Sequence, residues 1–278
     1  MTDHTPNKFA GMLFCTDLDG TFFAAGGKVL QQNLDAIEYF KSQGGLFTFI
    51  TGRVPQTSAN ICRIIQPNAP YGCINGGGIY DHRAGKYLWR MHLPAEAIEL
   101  VREVDEKLPG IGIQFNTEKA IYFNKDNLTM ERFRRNTGMP NIACHYEDVK
   151  EPVLKVLFGH HENEQILALQ ELLHSHPKAH LFDFIRSEHA LYEILPKGAS
   201  KGGALRKMAE LLGIDPAKTI AVGDYNNDIS MLREAGLSFA VANAVDEAKA
   251  AADHITVSNN DGAIAAIIGQ LDRGEFML

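Results

Sequence analysis

The sequence is poor in the features that mark several protein classes. Its 278 residues hold four cysteines, Cys15, Cys62, Cys73 and Cys144, scattered and without a CxxC pair. A disulfide framework is therefore not expected, and buried free thiols are. No apolar run reaches the length of about 18 residues that a membrane-spanning helix needs. Basic runs are missing too, and the net charge is −7. A nucleic-acid or anionic-membrane partner requires a basic face, so neither is expected. The stretch MTDHTPNKFAGMLFC has no basic region followed by an apolar core. No secretory signal is expected from it, and a cytoplasmic location is. Internal repeats and low-complexity tracts are absent as well.

Familiar ligand-binding loops are also missing. There is no GxxxxGK[ST], and the first apolar run is not followed by GxGxxG, so neither a P-loop nor a dinucleotide fold is supported. Asp224, Asn226 and Asp228 match the opening of a calcium loop, but Ile229 and Ala235 stand where that loop needs glycine and glutamate. His174, His176 and His180 read as a polar helix end rather than a metal cluster.

What is present is an alternation of strand-like and helix-like segments. Short apolar runs at 11–16, 46–51, 71–74, 219–223, 237–242 and 254–258 read as buried strands. Between them, 32–45, 57–65, 201–213, 227–236, 246–252 and 261–271 carry apolar residues at helical spacing, several ending in glycine. Near-continuous apolar strands joined by helices predict a parallel sheet covered on both faces, an α/β, Rossmann-like core. The middle of the chain follows another grammar. Hairpin patterns at 79–92 and 181–195, strand candidates at 111–115, 120–124 and 153–160, and helices near 94–107, 127–137 and 162–174 predict an antiparallel sheet with helices on one face. The expected organisation is a core of residues 1–81 and 191–278 with an inserted α+β cap domain at 82–190. Asn75-Gly76-Gly77-Gly78 reads as a flexible joint into that insertion, with a wall of the site as the alternative.

In an open parallel sheet, ligands bind outside the carboxyl ends of the strands. Here those ends are polar. The first strand leads into Asp17-Leu18-Asp19-Gly20-Thr21, the second into Thr51-Gly52-Arg53, and the strand at 219–223 into Asp224. Lys201 opens a helix just after the insertion. Taken singly, each has an ordinary reading. Asp17 and Asp19 can mark a turn, Thr51 a helix cap, Lys201 a solvated helix residue, and Asp224 and Asp228 caps of the next helix.

Taken in order, DLDGT (17–21), TGR (51–53), KG (201–202) and GDYNNDISML (223–232) resemble the four motifs of the haloacid dehalogenase superfamily of phosphohydrolases. The long insertion, with NG at 75–76 and ANA at 242–244, is similar to the Cof-type subclass, which acts on small phosphate esters, often sugar phosphates. The resemblance implies a Mg²⁺-dependent phosphatase working through an aspartyl-phosphate. It implies Asp17 as nucleophile and Asp19 as acid/base, the latter protonating the leaving oxygen and then taking a proton from water. The metal ligands it implies are the Asp17 carboxylate, the Asp19 carbonyl and Asp224, with Asp228 holding a metal-bound water or orienting Lys201. Thr51 and Lys201 are implied to bind phosphoryl oxygens, with Gly52 and Asn227 contributing to substrate binding. Arg53 either contacts substrate or pairs with a surface acid. Tyr225 departs from the subclass, which usually has a small residue there. The expected partner is a small phosphorylated metabolite. A phosphomutase, or a sugar-phosphate binding protein without catalysis, are the competing readings.

Overall fold

The structure, a computed structural model, describes residues 7–276. The chain divides into two compact units. Among the described residues, the first comprises 7–52, 59–89 and 200–276, and the second 53–58 and 90–199. These bounds differ from an insertion at 82–190. Gly78–Asp81 pairs with Tyr71–Cys73 on one side and with Lys86–Arg90 on the other, which holds most of that segment in the first unit. Phe182–Glu188 and Leu191–Pro196 are successive strands of the second unit's sheet, so a boundary at 190 would cut between paired strands.

In the first unit, five parallel strands run in the order His254–Ile255, Leu237–Ala240, Thr219–Gly223, Leu13–Thr16, Leu46–Phe49. Every residue of Leu13–Thr16 and of Thr219–Gly223 is buried. Successive strand side chains point to opposite faces, so both faces of the sheet are covered. Phe14 packs against Phe40 of the helix Gln31–Ser42 and against Phe47 of the neighbouring strand. That helix packs on Ala263–Asp272, and Lys201–Leu212 packs on Ile229–Glu234. From Leu13–Thr16 the chain next adds a strand on one side. From the adjacent Thr219–Gly223 it proceeds to the other side. The winding therefore reverses between these two strands, where an open α/β sheet forms its ligand crevice.

The strand expected at 71–74 leaves the parallel sheet after a single parallel bridge, Ile50 to Gly72. It continues as the antiparallel three-stranded sheet Tyr71–Cys73, Gly78–Asp81, Lys86–Arg90. A left-handed turn at Ile74–Gly76 causes the change of direction.

The second unit is a six-stranded sheet in the order Phe182–Glu188, Leu191–Pro196, Val153–Gly159, Gly112–Thr117, Ile121–Lys125, Ile142–Ala143. Its pairs are antiparallel except the last. Ile113, Phe115, Val156, Phe158, Tyr192 and Ile194 form one cluster with buried side chains of the helices Ala97–Lys107 and Asn163–Ser175, so those helices cover this sheet face. Residues two apart share a face. Gln114 and Asn116 thus lie on the opposite face, with Lys155 paired to Asn116 across the ladder.

Candidate active site

Asp17 follows the first strand directly, and its amide donates to the Val222 carbonyl at 2.9 Å. That bond extends the register between the two central strands and sets Asp17 beside the loop opened by Asp224. The Asp17 side chain is 9% exposed. Its Oδ1 accepts from Lys201 Nζ at 2.6 Å. The same ammonium donates to Asp228 Oδ1 at 2.6 Å, and both Lys201 and Asp228 side chains are fully buried. Lys201 is placed by its helix, whose N-terminus is capped by the Ser200 hydroxyl accepting from the Gly203 amide at 3.0 Å.

Both carboxylate oxygens of Asp228 are engaged. Oδ1 faces Lys201, and Oδ2 accepts the amides of Asp224 and Tyr225 at 2.9 and 3.0 Å. It is a brace that holds the ammonium and the loop after Gly223 together. Asp224 is held from the other side, where Thr21 Oγ1 donates to its Oδ1 at 2.6 Å. Gly20 makes this approach possible. Its φ is +92°, and a side-chain carbon there would lie 2.4 Å from Asp224 Oδ2.

The carboxylates of Asp17, Asp224 and Asp228 place oxygen atoms within 4.8 Å of one another. One ammonium among three carboxylates leaves an excess of two negative charges. Burial is the main force pushing the Asp17 carboxyl well up. Lys201 opposes it, and Asp228 and Asp224 add to it. Burial, followed by Asp228, pushes Asp224 up to about 6. Burial works against the Lys201 charge, yet the two carboxylates outweigh it and hold the ammonium above its ordinary value. Asp228 and Asp224, like charges acting on Asp17, come from across the fold. A cluster of hard oxygen donors with excess negative charge fits a divalent cation such as Mg²⁺. The fit is better for Asp17 and Asp224 than for Asp228, whose oxygens already face an ammonium and two amides.

The remaining candidates divide. Thr51 is 2% exposed. The Ile50 amide bonds to the Thr16 carbonyl at 2.9 Å, which sets Thr51 next to the Asp17 end of the first strand. Asn227 Nδ2 donates to Asn75 Oδ1 at 3.0 Å. Gly52 closes against the Asn75 side chain, whose amide atoms lie 3.0 Å from where a side-chain carbon would stand. Asp19 sits in the turn with an exposed side chain. Arg53 is half-buried and belongs to the second unit. Tyr225 gives its amide to Asp228, and its carbonyl accepts the Asp228 amide. The three histidines have separate neighbours: Tyr192 for His174, Glu103 for His176, and the Pro177 carbonyl for His180.

Three residues that hold the site were given no specific contact from sequence. They are Thr21, Asn75 and Asn243, the last donating to the Gly20 carbonyl at 2.8 Å. Thr21 stands in the first motif, and Asn75 and Asn243 stand in the NG and ANA pairs, but nothing in the spacing says what each touches.

A family model of haloacid dehalogenase-like hydrolases matches residues 14–268. The chain belongs to that family. It is an enzyme, a phosphatase of the Cof-type branch. It is 26% identical over 262 residues to the 5-amino-6-(5-phospho-D-ribitylamino)uracil phosphatase YitU of Bacillus subtilis, covering 92% of this chain and 96% of the relative. A haloacid dehalogenase-like hydrolase from Bacteroides thetaiotaomicron has the same fold, with a TM-score of 0.83 at 22% identity, over 94% of this chain and 99% of that one. A sugar phosphatase of subclass IIB also shares it, with a TM-score of 0.82 at 20% identity, over 94% and 99%. No helix among the described residues is long and apolar enough to cross a membrane.

Proposed function

We propose that the enzyme is a Mg²⁺-dependent phosphatase that hydrolyses small phosphate monoesters, with sugar phosphates as the preferred class, through an aspartyl-phosphate. The observation that carries the reading is the buried Lys201 ammonium bonded at 2.6 Å to both Asp17 and Asp228, beside Asp224. A buried carboxylate braced in this way serves a nucleophile that must stay ionised and aimed.

In this reading an Asp17 oxygen attacks phosphorus and the bond from phosphorus to the ester oxygen breaks. Asp19, exposed in the turn, gives its proton to that leaving oxygen. It then takes a proton from the water that attacks the phosphoryl group. Phosphate leaves, and the Asp17 carboxylate is restored. Lys201 and the Thr51 hydroxyl hold phosphoryl oxygens, with Asn227 and the Gly52 backbone beside them, and Asp228 keeps Lys201 in place. When bound, Mg²⁺ would be held by Asp17, the Asp19 carbonyl and Asp224, and would neutralise phosphoryl charge.

The preference for sugar phosphates draws support from the second unit. On the sheet face opposite the helices Ala97–Lys107 and Asn163–Ser175 lie Gln114, Asn116, Lys155 and Glu193, all buried. Lys155 Nζ bonds Glu193 Oε2 at 2.8 Å, and Gln114 Nε2 donates to Asn116 Oδ1 at 3.0 Å. Gln114 Oε1 and Asn116 Nδ2 have no hydrogen-bond partner. A buried acceptor and donor left unmatched suit a ligand rich in hydroxyl groups. The second unit then acts as a cap that chooses the ester, while the first performs the chemistry.

The test is a panel of sugar, polyol and aryl phosphates assayed with Mg²⁺, following both inorganic phosphate and ester isomers. Phosphate release, fastest on a sugar or polyol ester, is expected. Isomer formation without phosphate release would make the enzyme a mutase, and binding without turnover would make it a sensor.

A further inference from the structure

The turn at Ile74–Gly76 has a backbone that most residues avoid. Ile74 has φ +58°, Asn75 has φ +49° and Gly76 has φ +94°. A left-handed β-branched residue is a genuine outlier, and strain of this kind persists only where surrounding structure enforces it. All three residues are buried, with Asn75 2% exposed. The segment is therefore a fixed block and not the flexible joint that its glycines suggest.

Three site loops meet this block. The Asn75 amide donates to the Thr51 carbonyl at 3.0 Å, while the Thr51 amide donates to the Gly72 carbonyl at 3.0 Å. Asn75 Oδ1 accepts from Asn227 Nδ2 at 3.0 Å, and the same side chain closes over Gly52. At Gly76, a side-chain carbon would stand 1.9 Å from the Ser200 carbonyl oxygen and 2.8 Å from the Lys201 nitrogen. Only glycine allows so close an approach to the start of the helix that carries Lys201. One buried turn thus bears on Thr51, Asn227 and Lys201, the groups assigned above to the phosphoryl oxygens.

We infer that Asn75 is a positioning residue for phosphoryl transfer. It stays neutral beside the negatively charged cluster, and fixes Thr51 through its backbone and Asn227 through its side chain. Its left-handed backbone lets one residue do both. The effect belongs in kcat, because alignment of charge-stabilising groups matters most in the transition state.

The inference rests on the phosphatase reading, and wild-type turnover of an aryl phosphate is the control. A wild type inert on every ester sinks that reading and this one with it. With an active wild type, Asn75→Gly keeps the left-handed backbone and removes only the side chain. Its melting temperature should stay within about 3 °C of wild type, while kcat falls by about 30-fold or more and KM moves by less than about threefold. Combined with Asn227→Ala, the loss should be no more than about threefold beyond the worse single variant, because both act through one hydrogen bond. Asn75→Asp keeps the acceptor oxygen, so its kcat should recover at least about tenfold over Asn75→Gly, with KM raised by the added charge. A purely structural role predicts stability and turnover falling together, with no such rescue. An Asn75→Gly variant within about threefold of wild-type kcat overturns the inference, as does multiplication of the two single effects in the double variant. Should Asn75→Gly not fold, Asn75→Asp decides alone. A kcat within about threefold of wild type with raised KM supports the role, and any larger loss of kcat overturns it.

Discussion

At the scale of single residues, the site is a buried charge balance. Among the described residues Lys201 is the cation bonded to Asp17 and Asp228, and breaking a buried pair from one side leaves charge without compensation. Lys201→Met should destabilise the metal-free protein by about 3–5 kcal/mol in urea unfolding. Added Mg²⁺ should recover part of that loss. An unchanged midpoint would show that the ammonium is not what holds these carboxylates. Asp17→Asn should remain folded but lose turnover by on the order of 10³-fold or more in phosphate release, since the covalent step loses its nucleophile. A loss within tenfold would remove Asp17 from that role.

At the scale of elements, the loop after the first strand and the helix Lys201–Leu212 do the positioning. Gly20 lets the loop turn with Asp224 pressed against it, and Thr21 fastens the far side of that carboxylate. Gly20→Ala forces a carbon to 2.4 Å from Asp224 Oδ2 at a φ of +92°. Asp224 must move, so the Mg²⁺ concentration for half-maximal activity should rise by about tenfold or more, measured by titration with phosphate release. A titration midpoint equal to wild type would free Asp224 from metal binding.

This scale also shows what the chain pattern could reveal. The strands at 13–16, 46–49, 219–223 and 237–240, and the helices between them, follow from apolar runs with glycine stops. The turn at Ile74–Gly76 did not, because Asn-Gly-Gly-Gly reads as slack. Burial against Ser200, which is distant in sequence, makes it rigid. Ile142–Ala143 escaped notice because a two-residue strand has no period to read.

At the scale of the whole molecule, ligands and the second unit should control stability and choice of substrate. Chelation by EDTA should abolish turnover. Mg²⁺ at about 100 times its dissociation constant should add about 2.7 kcal/mol to the unit that binds it, raising its melting temperature by roughly 5–10 °C in calorimetry. Ca²⁺ should restore activity less well, since its larger shell tolerates extra carboxylate oxygens and can occupy the attacking one. Full turnover in chelator would exclude a required metal. In the second unit, Asn116→Leu removes a buried donor that has no partner. Stability should be retained or raised, while KM for sugar phosphates rises by about tenfold and that for an aryl phosphate does not. Equal changes for both esters would mean that this sheet face plays no part in selection.

The sequence by itself determined the alternation of strands and helices, the two grammars of core and insertion, and the order of the four motifs. These are local properties, set by side-chain period, glycine placement and short spacing. Tertiary structure alone decided which groups meet. Lys201 lies 184 residues from Asp17 and 27 from Asp228, yet one ammonium bonds both. Thr21 and Asp224 are 203 residues apart. The shift of the Asp17 carboxyl comes first from burial and then from these distant charges. The unmatched donor and acceptor on the second unit's sheet exist only because strands brought together by folding bury them. Burial and electrostatics depend on neighbours in space, and a chain of this length chooses those neighbours only when its central strands pair and its helices pack.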